Sequence, residues 1–324
     1  MPTDIKKIGV YCLANDVVIE WFEAFIRSYQ LQNAALPLTV IPYNTNITRL
    51  RSLQNKFRFE IMEEAQCAHY DDLALRSLGS SHAAGAFRKL ACFFGPYDEF
   101  IFLDSDIVLM MPLQKAFEAY ARSGCDFVYF DFDINAAYTP DFAAKMISEY
   151  GTHGFNSGAF VSRKGLFQEV ELESLADAAA KVRDGLTLGT VDQPYLNYIM
   201  DITRRTQAHI DSLLPELARK GYAREKYHFD RYTLTATTPE GKKLPFVHWA
   251  GCGYPTMVRP EIFLHYRTLG MAAGERFNYL RQFYYLRFRR QLKQALLKSK
   301  IFSRLLAWRE RRIQQKRQRD ILSA

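Results

Sequence analysis

Apolar and polar positions along this chain fall into short continuous runs and helical repeats, and the switch between them marks its elements. The run Ile8-Gly9-Val10-Tyr11-Cys12-Leu13 ends in the polar turn Ala14-Asn15-Asp16 and predicts a buried strand. Val18, Phe22, Phe25, Ile26 and Tyr29 then recur at helical spacing on one face. Leu38 to Tyr43 predicts a second strand, running into Asn44-Thr45-Asn46. Strand, helix, strand is a βαβ unit, which implies a parallel sheet with its ligand site at the C-terminal ends of the strands. Residues 48–76 read as helical, 79–85 as a loop, and 86–94 as a helix. Strands are expected over 100–103, 126–130, 159–162 and 244–247, and helices over 112–122, 164–182 and 191–201. The stretch before Gly154 reads as a loop.

The run Phe100-Ile101-Phe102-Leu103 ends in Asp104-Ser105-Asp106. Residues at i and i+2 of an extended backbone point to one side, so the two carboxylates would lie together. Like charges that close repel, and one would take up a proton unless a cation intervenes. Hard oxygen ligands suit magnesium or manganese, with sites left over for phosphate oxygens. Two solvated acids at a strand end are the plainer reading, and spacing alone leaves both open. Asp131-Phe132-Asp133 is a second acid pair with the same spacing.

Charge changes the picture because it is uneven. From Thr256 onward there are 17 Lys and Arg against 4 Asp and Glu, whereas the preceding residues carry 26 against 31. An acidic body with a basic tail argues against nucleic acid as the partner of the body and for an anionic surface as partner of the tail. Five scattered cysteines show no metal-site or redox spacing, as expected of core residues in a reducing compartment. No signal peptide or long apolar span is evident, so a cytoplasmic location is expected. The chain divides into one body over 1–255 and a helical tail over 256–324.

The predicted strand ends supply the parts of a nucleotide-sugar site. Leu13 ends the first strand, Asn15 and Asp16 follow it, and Asn44 follows the second. Arg88 and Lys89 precede the acid-ended strand, placed to meet phosphate or to pin an acid. His248 ends the last strand before a turn containing Gly251; it is either a structural histidine or a third metal ligand. Asp192-Gln193 opens a helix, and there an aspartate is either an N-cap or a carboxylate aimed at substrate.

Taken in order, Asp104-Ser105-Asp106, Phe155-Asn156-Ser157-Gly158, Asp192-Gln193 with Leu196-Asn197, and His248 with Gly251 resemble retaining glycosyltransferases of the GT-A fold. The resemblance is greatest to glycosyltransferase family 8, the glycogenin and lipopolysaccharide galactosyltransferase group. The stretch Phe87-Arg88-Lys89-Leu90-Ala91-Cys92-Phe93-Phe94-Gly95-Pro96 also resembles bacterial sugar transferases. The resemblance covers about residues 8–255. It implies an α/β fold with a mostly parallel mixed sheet, and a nucleotide-sugar donor, UDP-linked. Manganese or magnesium would be held by Asp104, Asp106 and His248. Asn156, Asp192 and Gln193 would line the donor sugar, and Ser105 and Gly251 would belong to the donor site. Two departures stand out: no lysine follows in Gly251-Cys252-Gly253-Tyr254-Pro255, where the family often has one for the diphosphate, and Pro194 replaces a frequent aspartate.

Tyr279, Leu280, Phe283, Tyr284, Phe288, Leu292, Leu296, Ile301, Phe302, Leu305 and Trp308 recur in the tail with Arg281, Arg287, Arg290, Lys293, Lys298 and Arg304 between them. A helix of this kind over 277–324 suits an anionic membrane interface, and residues beyond Trp308 are polar enough to fray. The expected partners are therefore a nucleotide sugar, a glycan or lipid-linked acceptor of the cell envelope, and the inner face of the plasma membrane. A sugar nucleotidyltransferase is the enzymatic alternative, although Leu13 to Val17 offers no glycine-rich phosphate loop. An inactive scaffold binding partners through its tail is the other.

Overall fold

A computed structural model of the chain describes residues 6–81 and 84–298. The tail positions Ile301, Phe302, Arg304, Leu305 and Trp308, and the fraying expected after them, lie outside the described residues.

The centre is a seven-stranded mixed sheet built from β1 (Ile8–Ala14), β2 (Leu38–Pro42), β3 (Glu60–Ile61), β4 (Glu99–Asp104), β6 (Phe127–Tyr129), β7 (Ala159–Arg163) and β8 (Gln207–His209). Its spatial order is β3-β2-β1-β4-β7-β6-β8. β1 is parallel to both β2 and β4, β2 to β3 and β6 to β8, whereas β7 runs antiparallel to its two neighbours. The mostly parallel mixed sheet expected above is thus present. A separate ribbon pairs β5 (Ile107–Leu109) with β11 (Phe246–His248) and sets His248 opposite Ile107.

β4 is continuous in its apolar character because both of its faces are covered. Phe100 and Phe102 join Phe93, Phe127 and Phe160 in one core, while Ile101 and Leu103 join Val10, Val40, Val128 and Val161 in the other. The second core is closed by α1 (Ile19–Asn33), which buries Phe22, Phe25, Ile26 and Tyr29 on the expected face. The first is covered by α3 (Tyr70–Leu78), α7 (Glu169–Lys181) and α8 (Gln193–Ile202).

Two expectations need correction. Helix does not run through 48–76: α2 is only Thr48–Leu53, and the chain then extends into β3. Phe57 and Phe59 are buried while Arg58 and Glu60 are exposed, so the local period is two, which a helix cannot satisfy. The stretch before Gly154 is not all loop, since α6 spans Pro140–Tyr150. Pro140 in its first turn and Gly151 just past its end, at φ 67, are start and stop signals that the scarcity of core residues in this helix obscured.

The described residues form two compact units: those up to Ala250 with His265–Arg267, and Gly251–Leu264 with 268–298. In the first unit the buried Arg267 pairs with Glu20 at 2.9 Å and Glu23 at 3.0 Å. In the second, α11 (Ala273–Lys298) buries Phe283 against Tyr254 and Phe263, and Arg287 bonds the carbonyls of Pro255 and Met257. All five cysteines are unpaired. Among the described residues, no helix is long and apolar enough to cross a membrane.

Candidate metal and donor site

Asp104 is the last residue of β4, and Ser105 and Asp106 turn the chain into β5. The two carboxylates therefore converge through a turn rather than through the pleat of one strand. His248, at the end of β11, faces them: its Nε2 lies 3.3 Å from Asp106 Oδ1 and 3.9 Å from Asp104 Oδ2. One ligand atom from each of the three side chains falls within 4.8 Å of the others. Asp131 and Asp133, the second acid pair, form no such group among the described residues. Asp133 caps the turn at Asn135, and Asp131 is buried on the far ring edge of His248, 3.9 Å from Nδ1.

These residues fit a hard divalent cation on three observations. The donor set is two carboxylates and an imidazole. His248 is 2% exposed, yet neither of its ring nitrogens has a hydrogen bond of good geometry. Gly158 leaves the space open: a Cβ there would come 2.5 Å from Asp104 Oδ2 and 2.6 Å from His248 Cε1. Burial alone would lower the pKa of His248, but Asp106, Asp131 and Asp104 outweigh it and push the value up to about 10. Burial raises that of Asp104, and Asp106 and Asp192 add to the rise against Lys89 and His248. Excess negative charge around this pocket is what a cation would relieve.

Lys89 is the second centre of the site. It is 3% exposed, and its Nζ donates to Asp192 Oδ2 at 2.9 Å and to the Ser157 carbonyl at 2.9 Å. Asp104 Oδ1 is 3.5 Å away, and the ammonium lies over the Phe102 ring at 4.5 Å. Burial opposes its charge, but Asp104 and Asp192 prevail and the pKa is raised. Asp192 directly precedes α8, yet its side chain makes no capping bond; it points to Lys89 instead. Val191, just before it, is held at φ 64, a conformation costly for a β-branched residue.

Asn156 and Gln193 meet at 3.2 Å, Asn156 Nδ2 donating to Gln193 Oε1. The Gln193 Nε2 is buried and without a partner. Asn197 clamps this corner, accepting from Phe155 N at 2.8 Å and donating to the carbonyls of Phe155 and Gln193. Sequence reasoning quoted Asn197 without a role; its place one turn after Gln193, facing back to the loop, is the signal.

The other donor-site candidates are distributed more widely. Leu13 is paired in register with Asp104 on the adjacent strand, and Ser105 is buried between the two aspartates. Asn15 caps its own turn, accepting from Val17 N and Val18 N, while Asp16 accepts from Arg49 N and Leu50 N. Asn44 holds its own turn through Asn46 N. Arg88 is occupied by Asp71 at 2.7 Å, by Glu64 and by the Pro42 carbonyl. Gly251 opens the second unit at φ 67. Ser157 and Gly158 contribute separately, and so does Tyr222, whose ring lies 5.8 Å from that of His248 and whose pKa burial pushes up; none of the three has a spacing signal of its own.

No protein-family model matches the chain, and no curated protein matches it by sequence. Many solved structures do match by fold. The galactosyltransferase LgtC, solved with donor and acceptor sugar analogues, aligns at a TM-score of 0.50 and 12% identity, over 82% of this chain and 98% of its own. The apo form of mouse xyloside xylosyltransferase 1 aligns at 0.44 and 14% identity, over 62% and 84%. The glycosyltransferase GlyE of Streptococcus pneumoniae aligns at 0.45 and 14% identity, over 86% and 64%. The fold of this chain is the GT-A fold of glycosyltransferases.

Proposed function

We propose that this chain is a metal-dependent glycosyltransferase, taking a sugar from a UDP-linked donor with retention of configuration and passing it to a glycan or lipid-linked acceptor of the cell envelope. The observation that carries the reading is the convergence of Asp104, Asp106 and His248 beside Lys89, Asp192, Asn156 and Gln193. Glycosyl transfer builds positive charge on the sugar and negative charge on the departing diphosphate. A manganese or magnesium ion held by Asp104, Asp106 and His248 would supply Lewis acidity to the diphosphate. Asp192 and the oxygens of Asn156 and Gln193 would stabilise the sugar's developing positive charge. Lys89 fixes Asp192 from behind, and the free Gln193 amide has hydrogens to offer a sugar hydroxyl. Calorimetric titration tests the donor half: UDP is expected to bind with Mn2+ present and at least ~10-fold more weakly after chelation, whereas equal binding in both would sink the assignment.

The same reading places the protein at the inner face of the plasma membrane. Phe277, Tyr284, Phe288 and Leu292 are 67%, 54%, 63% and 47% exposed and fall on one face of α11, with Arg281 on it and Arg289 at its edge. Apolar face and cations together suit anionic headgroups, each cation contributing on the order of 1 kcal/mol. Changing Phe277, Tyr284 and Phe288 to serine, which leaves the buried Phe283 in place, is expected to cut binding to phosphatidylglycerol vesicles ~10-fold or more in a flotation assay. Unchanged flotation would dispose of the membrane contact.

A further inference from the structure

Asp131 is 1% exposed, and its only ion-pair partner among the described residues is His248. Its Oδ1 accepts from Gly221 N at 2.6 Å, and the Gly221 carbonyl in turn accepts from His248 N at 2.8 Å. One backbone segment thus holds both the main chain of His248 and the carboxylate behind its ring. Asp131 Oδ2 has no hydrogen bond and lies 3.9 Å from Nδ1, while Nε2, on the opposite edge, faces Asp106 and Asp104. Burying a carboxylate with one oxygen unsatisfied is expensive, and hydrophobic packing gains nothing from it.

We infer that Asp131 is a positioning residue for His248, keeping the ring's N–H on Nδ1 so that the Nε2 lone pair points at the cation. A neutral imidazole carries one N–H, and the group facing each nitrogen decides which one carries it. A carboxylate behind Nδ1 selects the Nδ1–H form, sets the ring's angle and makes Nε2 a stronger donor. The role rests on the metal reading above and differs from a ligand's: Asp131 stands on the side of the ring away from Asp104 and Asp106. It also explains why the second acid pair is split, with one member turned inward and the other, Asp133, exposed and capping a turn.

The test is Mn2+ affinity measured by calorimetry on the full chain. In Asp131→Asn the amide oxygen can still accept from Gly221 N, but its NH2 then faces Nδ1 and favours the Nε2–H form. Affinity is expected to fall about 10–100-fold, the usual loss when such a partner is removed. In a His248→Ala background the same change is expected to have less than ~2-fold effect, because the two residues act as one unit. A loss of equal size in both backgrounds would show that Asp131 acts by another route and overturn the inference. If wild type binds Mn2+ and Asp131→Asn binds it equally, the inference falls and the donor-site reading survives; if wild type binds none, both fall. Should Asp131→Asn fail to fold, proton and nitrogen NMR of the Cd2+-loaded wild type decides: a His248 Nδ1 proton shifted downfield by a hydrogen bond to a carboxylate supports the inference, and one at the ordinary imidazole N–H shift overturns it.

Discussion

Mn2+ and UDP added together are expected to raise the melting temperature of the wild-type chain by about 5–10 °C and to leave that of Asp106→Ala unmoved. A ligand that binds only the folded state stabilises it by ~2.7 kcal/mol at a hundredfold excess over its dissociation constant. For a domain of this size each kcal/mol is worth about 2–4 °C. Asp106 is the carboxylate nearest to His248 in this cluster, at 3.3 Å, and its removal also relieves like-charge repulsion at Asp104. The variant also loses the ion pair with His248, so each protein's shift is read against its own ligand-free melting temperature, and a lost shift is then a loss of binding. A shift of equal size in both proteins would mean that the nucleotide binds without this cluster.

Replacing Lys89 is expected to have the largest effect on stability. Lys89→Met keeps the volume and the contact with Phe102 but removes the charge that Asp104 and Asp192 share. Breaking a buried ion pair by deleting one partner costs about 3–5 kcal/mol, because the remaining charge is left in a poor solvent. The melting temperature should then fall by roughly 6 °C or more. Adding Asp192→Asn should recover part of the loss, since it removes one of the stranded carboxylates. If Lys89→Met melts within a degree or so of wild type, the lysine is not the keystone of this corner. Raised stability in the double variant together with lost donor turnover would separate the two duties of Asp192.

The core of this fold was legible in the sequence because its strands are buried on both faces. β1, β2, β4 and β7 are short apolar runs closed by polar residues, a pattern few other structures produce. The carboxylate pair was legible for the same reason, since Asp104 ends an otherwise unbroken apolar run. What the pattern hid has local causes. β3 is two residues long, and the alternation of Phe57 and Phe59 with charged neighbours was masked by helical residues before it. β5 and β8 have three residues each, too few for a period to show. In the site, the partnership of Lys89 with Asp192 spans 103 positions, and that of Asp131 with His248 is longer still, so neither is visible from spacing. Asn15 and Asp16 were read as donor-facing because they follow a strand, yet their carboxamide and carboxylate cap the turns beside them. Caps and ligand-facing groups both occur at strand ends, and sequence does not separate the two uses.

The central claim is that Asp104, Asp106 and His248 serve a nucleotide-sugar donor, and the most direct measurement is a screen of nucleotide sugars for slow hydrolysis without acceptor. One donor is expected to be cleaved to free sugar and nucleoside diphosphate by the wild-type chain with Mn2+, not after chelation, and not by Asp106→Ala. No cleavage of any nucleotide sugar with either Mn2+ or Mg2+, or equal cleavage by wild type and Asp106→Ala, would contradict it.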